Sequence, residues 1–374
     1  MLHWNKNGTP ERHCEPPRLR CILTKLGCGP ALSVGLGTGI LLFGITRDSM
    51  ITPKLLTERI TAQDAWNEVA EALEAGVPGN VLSQTFDDDI VYRAFTEGSI
   101  KSEKLREKLH RHPFPDIGKL GIYSDYNLEY HVGGGLTNAM QISSKAEQHH
   151  HSIRSAGSVL DFGCGTSRIL RYFVEFLPGP RYYASEVFLE NVHWGQLAFP
   201  EVTYLHQNSF PPIEMKDEHF DIIYAYSIFT HLEEKFHLLW LSELHRLLKP
   251  GGLLILTVHG ERVLSRCKQE DNVRRSMLFE GKDHREVVSK FANEGYVFYT
   301  GYEPGYLTQG GLDAERFGIA YISKKYIRRN WTKWFDVLEH EEGAVSNWQD
   351  YVVLEKGARP GLAKWFGRIF FQKG

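Results

Sequence analysis

An α/β fold, a parallel sheet with helices on both faces, is what this 374-residue sequence predicts, and three observations carry the prediction. Strand-like and helical runs alternate between Ser158 and Gly260. A turn of small residues, Gly163-Cys164-Gly165, follows the first strand-like run. A carboxylate, Glu186, closes the second run about 23 residues after Gly163.

The strand-like runs are SVLDFG, RYYASEV, VTYLHQ, FDIIYAYS and GGLLILTVHG, short and rich in β-branched and aromatic residues. Between them SRILRYFVEFL, LENVHWGQLAF and EEKFHLLWLSELHRLLK repeat apolar residues at helical spacing. Strands joined through helices pair in parallel and bury both faces of their sheet. In such a sheet ligands bind beyond the carboxyl ends of the strands, where the first strand turns into its helix. Gly163 and Gly165 permit backbone angles and a close approach that a side chain forbids, and a following helix N-terminus supplies amides. Glu186 stands where a second-strand carboxylate takes both hydroxyls of a ribose, so an adenosine ligand is expected. A hydride-transferring dinucleotide enzyme would show G-x-G-x-x-G, whose third glycine falls here on Arg168. The pattern instead reads G-x-G-x-S, ending on Ser167.

Taken together, VLDFGCGTSR, YYASEV, HQNSFPP, FDIIYAYSIFTHL, LHRLLKPGGLLILTVHG and the late NWQDYVVLEK resemble the class I S-adenosylmethionine-dependent methyltransferases, over about Gly134 to Lys356. The resemblance implies a Rossmann-like seven-stranded sheet in the order 3214576, its last strand (WQDYVVLEK) antiparallel, and S-adenosyl-L-methionine as cofactor. It also implies that Asp161, Gly163 and Gly165 border the methionine part of the cofactor and that Glu186 holds its ribose. Val187 would lie against the adenine, Asn208 would face the adenine amino group, and Tyr226 with Ser227 would end the fourth strand beside the sulfonium. The family's usual loop is G-x-G-x-G, and Ser167 departs from it at the third glycine. Competing structural roles are a loop-bracing carboxylate for Asp161 and an Asx turn before Pro211 and Pro212 for Asn208.

Methyl transfer asks mainly for alignment, because the sulfonium already carries a good leaving group. A base is needed only where the acceptor holds a proton, and His231 or His259, each following a strand, is the candidate. The insertion from Glu261 to Gly311 is rich in charge and tyrosine and reads as a substrate lid, with Tyr302 and Tyr306 as acceptor contacts or as packed aromatics. The expected acceptor is a small molecule, methylated on oxygen or nitrogen: a sugar, a glycan precursor or a secondary metabolite. No Asn/Asp-Pro-Pro-Tyr follows the fourth strand, and 43 basic against 46 acidic residues leave a net charge of -3, so no general pull toward nucleic acid is expected. The competing function is a cofactor-binding regulatory or scaffold subunit without activity of its own.

The flanks complete the organisation. Residues 1–49 read as a loosely structured leader whose uncharged stretch between Lys25 and Arg47 is diluted by six glycines and Pro30, against the alternative of a membrane anchor. Residues 50–133 read as a helical accessory region and lid, with a Thr61-to-Asp64 capping box, and residues 134–357 as the methyltransferase-like domain. In the tail, 358–374, Leu362, Trp365, Phe366, Ile369 and Phe370 share one helical face, which suits docking on protein or peripheral contact with the inner face of a membrane through 361–374. Five cysteines without paired metal-ligand spacing suit a reduced cytoplasmic compartment. His149 to His151 read as a solvated linker rather than a metal site, and Lys324, Lys325, Arg328, Arg329 and Lys333 as a solvated face or a contact for an anionic acceptor.

Overall fold

The computed structural model describes residues 50–73, 88–115, 128, 130–277, 283–300 and 316–357, all within the compact unit Phe43–Gly374. The leader 1–49, Tyr302, Tyr306 and the tail 358–374 lie outside the described residues.

The strands β1 (Ser158–Phe162), β2 (Arg181–Glu186), β3 (Thr203–His206), β4 (Phe220–Ala225) and β5 (Leu248–Val258) pair in parallel. Two further strands of the sheet, β8 (Asp336–Val345) and β9 (Gln349–Glu355), form a hairpin whose β9 pairs antiparallel with β5. The order is β3-β2-β1-β4-β5-β9-β8, which is 3214576 when the sheet's own strands are counted. Because side chains alternate across a strand, neighbouring residues enter opposite layers. Val159, Ile222, Leu253 and Val353 pack with one apolar cluster, and Leu160, Ile223, Leu254 and Val352 with the other. The first layer holds α6 (Gly135–Gln148), α7 (Leu170–Phe176) and α8 (Leu189–Ala198); the second holds α9 (Glu234–Leu247) and α13 (Lys324–Asn330). Burial on both faces is why these strands read as continuous apolar runs.

The edge strand β8 reads differently, as DVLEHEEGAV, because much of it faces water. Its carboxylates are met from α6: Lys145 Nζ lies 2.5 Å from Glu339 and also bonds Glu341, and His149 Nε2 lies 2.8 Å from Glu339. His149 is thus tied to the sheet rather than solvated, and no cluster that could hold a metal is found among the described residues.

Ahead of the sheet lie α1 (Pro53–Ala62), α2 (Trp66–Ala72), α3 (Asp88–Arg93), α4 (Ser99–Lys101) and α5 (Glu103–Leu109). The Thr61-to-Asp64 capping box is not formed. Thr52 caps α1 and Pro53 opens it, so Thr61 falls inside that helix, where its hydroxyl donates to Thr57 O at 3.0 Å, and Asp64 takes a left-handed φ of 46°. This region docks on α7 through a buried ionic cluster. Glu175 lies 3.3 Å from His110 and 3.2 Å from His112, Arg171 donates to His112 O at 2.7 Å, and Arg59 donates to Glu175 O at 3.0 Å.

After β5 come α10 (Glu261–Gln269), α11 (Asp271–Met277), α12 (His284–Glu294), β6 (Tyr296–Tyr299) and β7 (Ile319–Ile322). The run AYIS does not rejoin the main sheet: β7 pairs with β6 in a separate two-stranded ribbon, and the sheet resumes at β8. On α13, Lys325, Arg328 and Arg329 are exposed, while Lys324 lies 3.6 Å from Glu342. Among the described residues no helix is long and apolar enough to cross a membrane.

Candidate functional site at the carboxyl rim of the sheet

The turn after β1 is built from left-handed residues. Gly163 has φ 73°, Gly165 φ 55° and Ser167 φ 57°. Serine therefore keeps the conformation that the third glycine of such a loop supplies, and its neighbours hold it there. Ser167 is fully buried, its amide donates to Cys164 O at 2.9 Å, and its hydroxyl sits 2.6 Å from the Tyr204 hydroxyl of β3. At Gly163 a Cβ would lie 2.2 Å from Ile228 Cδ1, so absence of a side chain lets the residues after β4 close on the turn.

Glu186 ends β2 beside that turn, 4% exposed. Its Oε2 accepts from Gly165 N at 2.7 Å, and its Oε1 accepts from Val187 N at 2.8 Å and Phe188 N at 3.0 Å. The Gly165 amide is thus committed to Glu186 rather than left for a ligand. An ionised carboxylate offers about four acceptor sites, so three amides leave one on Oε2. Burial pushes the Glu186 pKa up against those three bonds. Asp161, on β1, is also buried, and desolvation raises it to about 7 against the Tyr224 hydroxyl and the Arg168 charge. Two buried acids with one nearby guanidinium suit a ligand that brings positive charge and hydroxyl donors.

The other cofactor candidates spread along the rim. Val187 follows Glu186 and its carbonyl lies 3.0 Å from His206 Nε2; Asn208 is exposed beyond β3, next to Gln207, whose amide donates to Glu186 O at 2.9 Å. Tyr226 lies under the Arg168 guanidinium, 5.1 Å from its ring centroid. Ser227 takes φ 58°, donates its amide to Thr257 Oγ1 at 2.8 Å, and faces the Gln349 side-chain amide at 2.8 and 3.1 Å. Rim residues that the sequence did not reveal are thus Tyr204, Thr257, Gln349 and also His131, whose Nε2 lies 2.6 Å from Thr166 Oγ1 in the turn. The serine at the third glycine position was the one signal, since a side chain there needs a partner.

The two candidate bases differ. His231 follows the β4 turn, stacks on Phe317 and lies 2.8 Å through Nδ1 from Gly318 O, so Nδ1 carries the proton and Nε2 is the basic atom. Burial lowers its pKa from the ordinary value, against the hydrogen bond to Gly318 O. His259, 6.3 Å from it between ring centroids, has Nδ1 3.3 Å from Ala320 O, and burial, the largest cause, takes its pKa down to about 3. Both histidines are held by the segment that leads into and along β7, which also pairs with residues 230–232 through Gly318 N to His231 O at 2.9 Å and Ala320 N to Thr230 O at 2.9 Å.

Residues 160–256 match the family model described as a methyltransferase domain. No curated protein matches the chain. Among solved structures, a protein from Pyrococcus horikoshii OT3 aligns with a TM-score of 0.41 at 15% identity, over 68% of this chain and 99% of its own. A Burkholderia thailandensis 1,6-didemethyltoxoflavin-N1-methyltransferase aligns with a TM-score of 0.38 at 16% identity, over 63% of this chain and 86% of its own. The glycopeptide N-methyltransferase MtfA gives 0.38 at 13% identity, over 59% and 90%.

Proposed function

We propose that this chain, whose residues 160–256 match a methyltransferase domain and whose sheet has the order β3-β2-β1-β4-β5-β9-β8, is a class I S-adenosylmethionine-dependent methyltransferase that moves a methyl group to oxygen or nitrogen of a small molecule: a sugar, a glycan precursor or a secondary metabolite. The observation that carries the cofactor part is the pair of buried acids, Asp161 and Glu186, the second bonded to the Gly165 amide, beside a turn of left-handed residues. S-adenosylmethionine supplies an activated methyl on a sulfonium and a ribose diol. Glu186 has one acceptor site for that diol, Asp161 offers charge to the cationic methionine end, and Val187 and Asn208 flank the adenine side. The chain's own task is then to hold the acceptor in line and to receive its proton.

His231 fits the proton-receiving role better than His259, whose basicity burial takes down to about 3, and with Nδ1 donating to Gly318 O its Nε2 is the basic atom. A small acceptor is favoured by how the rim is bounded. The segment entering β7 is hydrogen-bonded along residues 230–232 on one side, and His131 joins the glycine turn on another. The experiment is incubation of the protein and metabolite extracts with S-adenosylmethionine labelled in its methyl, read by mass spectrometry. A small product carrying the label, lost in H231A and retained in H259A, supports the proposal. Label found only in protein or nucleic acid overturns the acceptor class, and cofactor binding without any labelled product favours a scaffold subunit.

A further inference from the structure

Ser227 is a non-glycine residue held at φ 58° at the point where β4 meets the rim. Such a conformation is sparsely populated for a side-chain-bearing residue and persists only where neighbours over-determine it. Two strands do so here. From β5, the buried Thr257 takes the Ser227 amide proton at 2.8 Å. From the first position of β9, Gln349 brackets the Ser227 hydroxyl, its Nε2 at 2.8 Å and its Oε1 at 3.1 Å. The residues on either side of Ser227 reach the glycine turn: Tyr226 lies beneath Arg168, and Ile228 closes on Gly163. Ile228 O also accepts the His231 amide at 3.0 Å, so the same kink sets where the candidate base begins.

We infer that Gln349 is a positioning residue for cofactor binding: by clamping Ser227 in its left-handed conformation it fixes the β4 turn against the glycine turn. Gln349 meets Ser227 from β9, which runs antiparallel to β5. This rests on the proposed use of S-adenosylmethionine. Glycine takes a positive φ without a clamp, so the role predicts a specific rescue.

The test measures S-adenosylhomocysteine affinity by calorimetry and amide hydrogen exchange at residues 226–228, in wild type, Q349A, S227G and S227G/Q349A. Q349A is expected to speed exchange at these amides and to weaken binding about tenfold, whereas adding Q349A to S227G changes binding by less than about twofold. Unchanged exchange and affinity in Q349A overturn the inference, as does an equal loss in both backgrounds, which would mark Gln349 as ordinary packing. Wild type that fails to bind S-adenosylhomocysteine sinks the cofactor reading and this inference with it; wild-type binding with an indifferent Q349A sinks this inference alone.

Discussion

Glu175 and the Asp161–Glu186 pair are carboxylates buried to the same degree in one domain, yet their surroundings are opposite. Around Glu175, in the seam between α7 and the N-terminal helices, burial raises the pKa, but His110, His112 and Arg171 pull it further down, and the net shift is downward. At the rim, burial raises both acids and the backbone amides, Tyr224 and Arg168 do not offset it. A carboxylate that holds two parts of a fold together carries its counter-charges with it. Where burial is not offset in this way, a ligand that brings positive charge can offset it.

The largest effect should come from breaking the seam. E175A leaves Arg171, His110 and His112 facing a void, and a buried pair broken from one side costs about 3–5 kcal/mol; urea unfolding should show that loss. At the rim, E186Q keeps the side chain's size but removes its charge and gives one end donors where amides already point. S-adenosylhomocysteine should bind about 10–100-fold more weakly by calorimetry, the range expected for hydrogen bonds to a charged group. An E186Q protein with undiminished affinity would place the two regions in the same structural class.

The comparison sharpens in its pH dependence, where the signs oppose. The folded state holds the Asp161 proton up to about 7, while the unfolded chain releases it near 3.8, so this group makes stability fall as pH rises across that window. Glu175 is held below its ordinary 4.5, so its contribution is present above that value and is lost as pH falls through the folded-state pKa. Unfolding curves of D161N should lack the first trend between pH 4 and 8 and keep the acid-side loss below pH 4. With ligand, deprotonation of Asp161 should favour the sulfonium, so the preference for S-adenosylmethionine over S-adenosylhomocysteine should grow by up to about tenfold per pH unit, and stay flat in D161N.

Legibility followed burial. The strands β1 to β5 and β9 lie between two helical layers, and their apolar runs announced them. The strand β8 did not, because a charged edge strand has no such run. Thr61 and Asp64 had a cap's spacing, but Thr52-Pro53 had already begun the helix. At the site, Gly163, Gly165 and Glu186 could be found by local spacing. Tyr204, Thr257, Gln349 and His131 could not, since each reaches the rim from a distant part of the chain.

The smallest predicted effect concerns the substituted glycine. S167G relieves a left-handed side-chain residue, worth about 1 kcal/mol, but leaves the buried Tyr204 hydroxyl without its 2.6 Å partner, which costs about 1–3 kcal/mol. Thermal unfolding should show net destabilisation of about 1 kcal/mol, recovered when Y204F is added. Greater stability in S167G alone would mean that Tyr204 finds another partner and that the rim tolerates more than its geometry suggests.

The most direct measurement is a crystal structure of the complex with S-adenosylhomocysteine. The ribose diol should lie within hydrogen-bonding distance of Glu186, with the homocysteine end along Gly163–Gly165 and near Asp161. A nucleoside bound elsewhere, with Glu186 still bonded only to the amides of Gly165, Val187 and Phe188, would contradict the assignment of the rim acids to the cofactor.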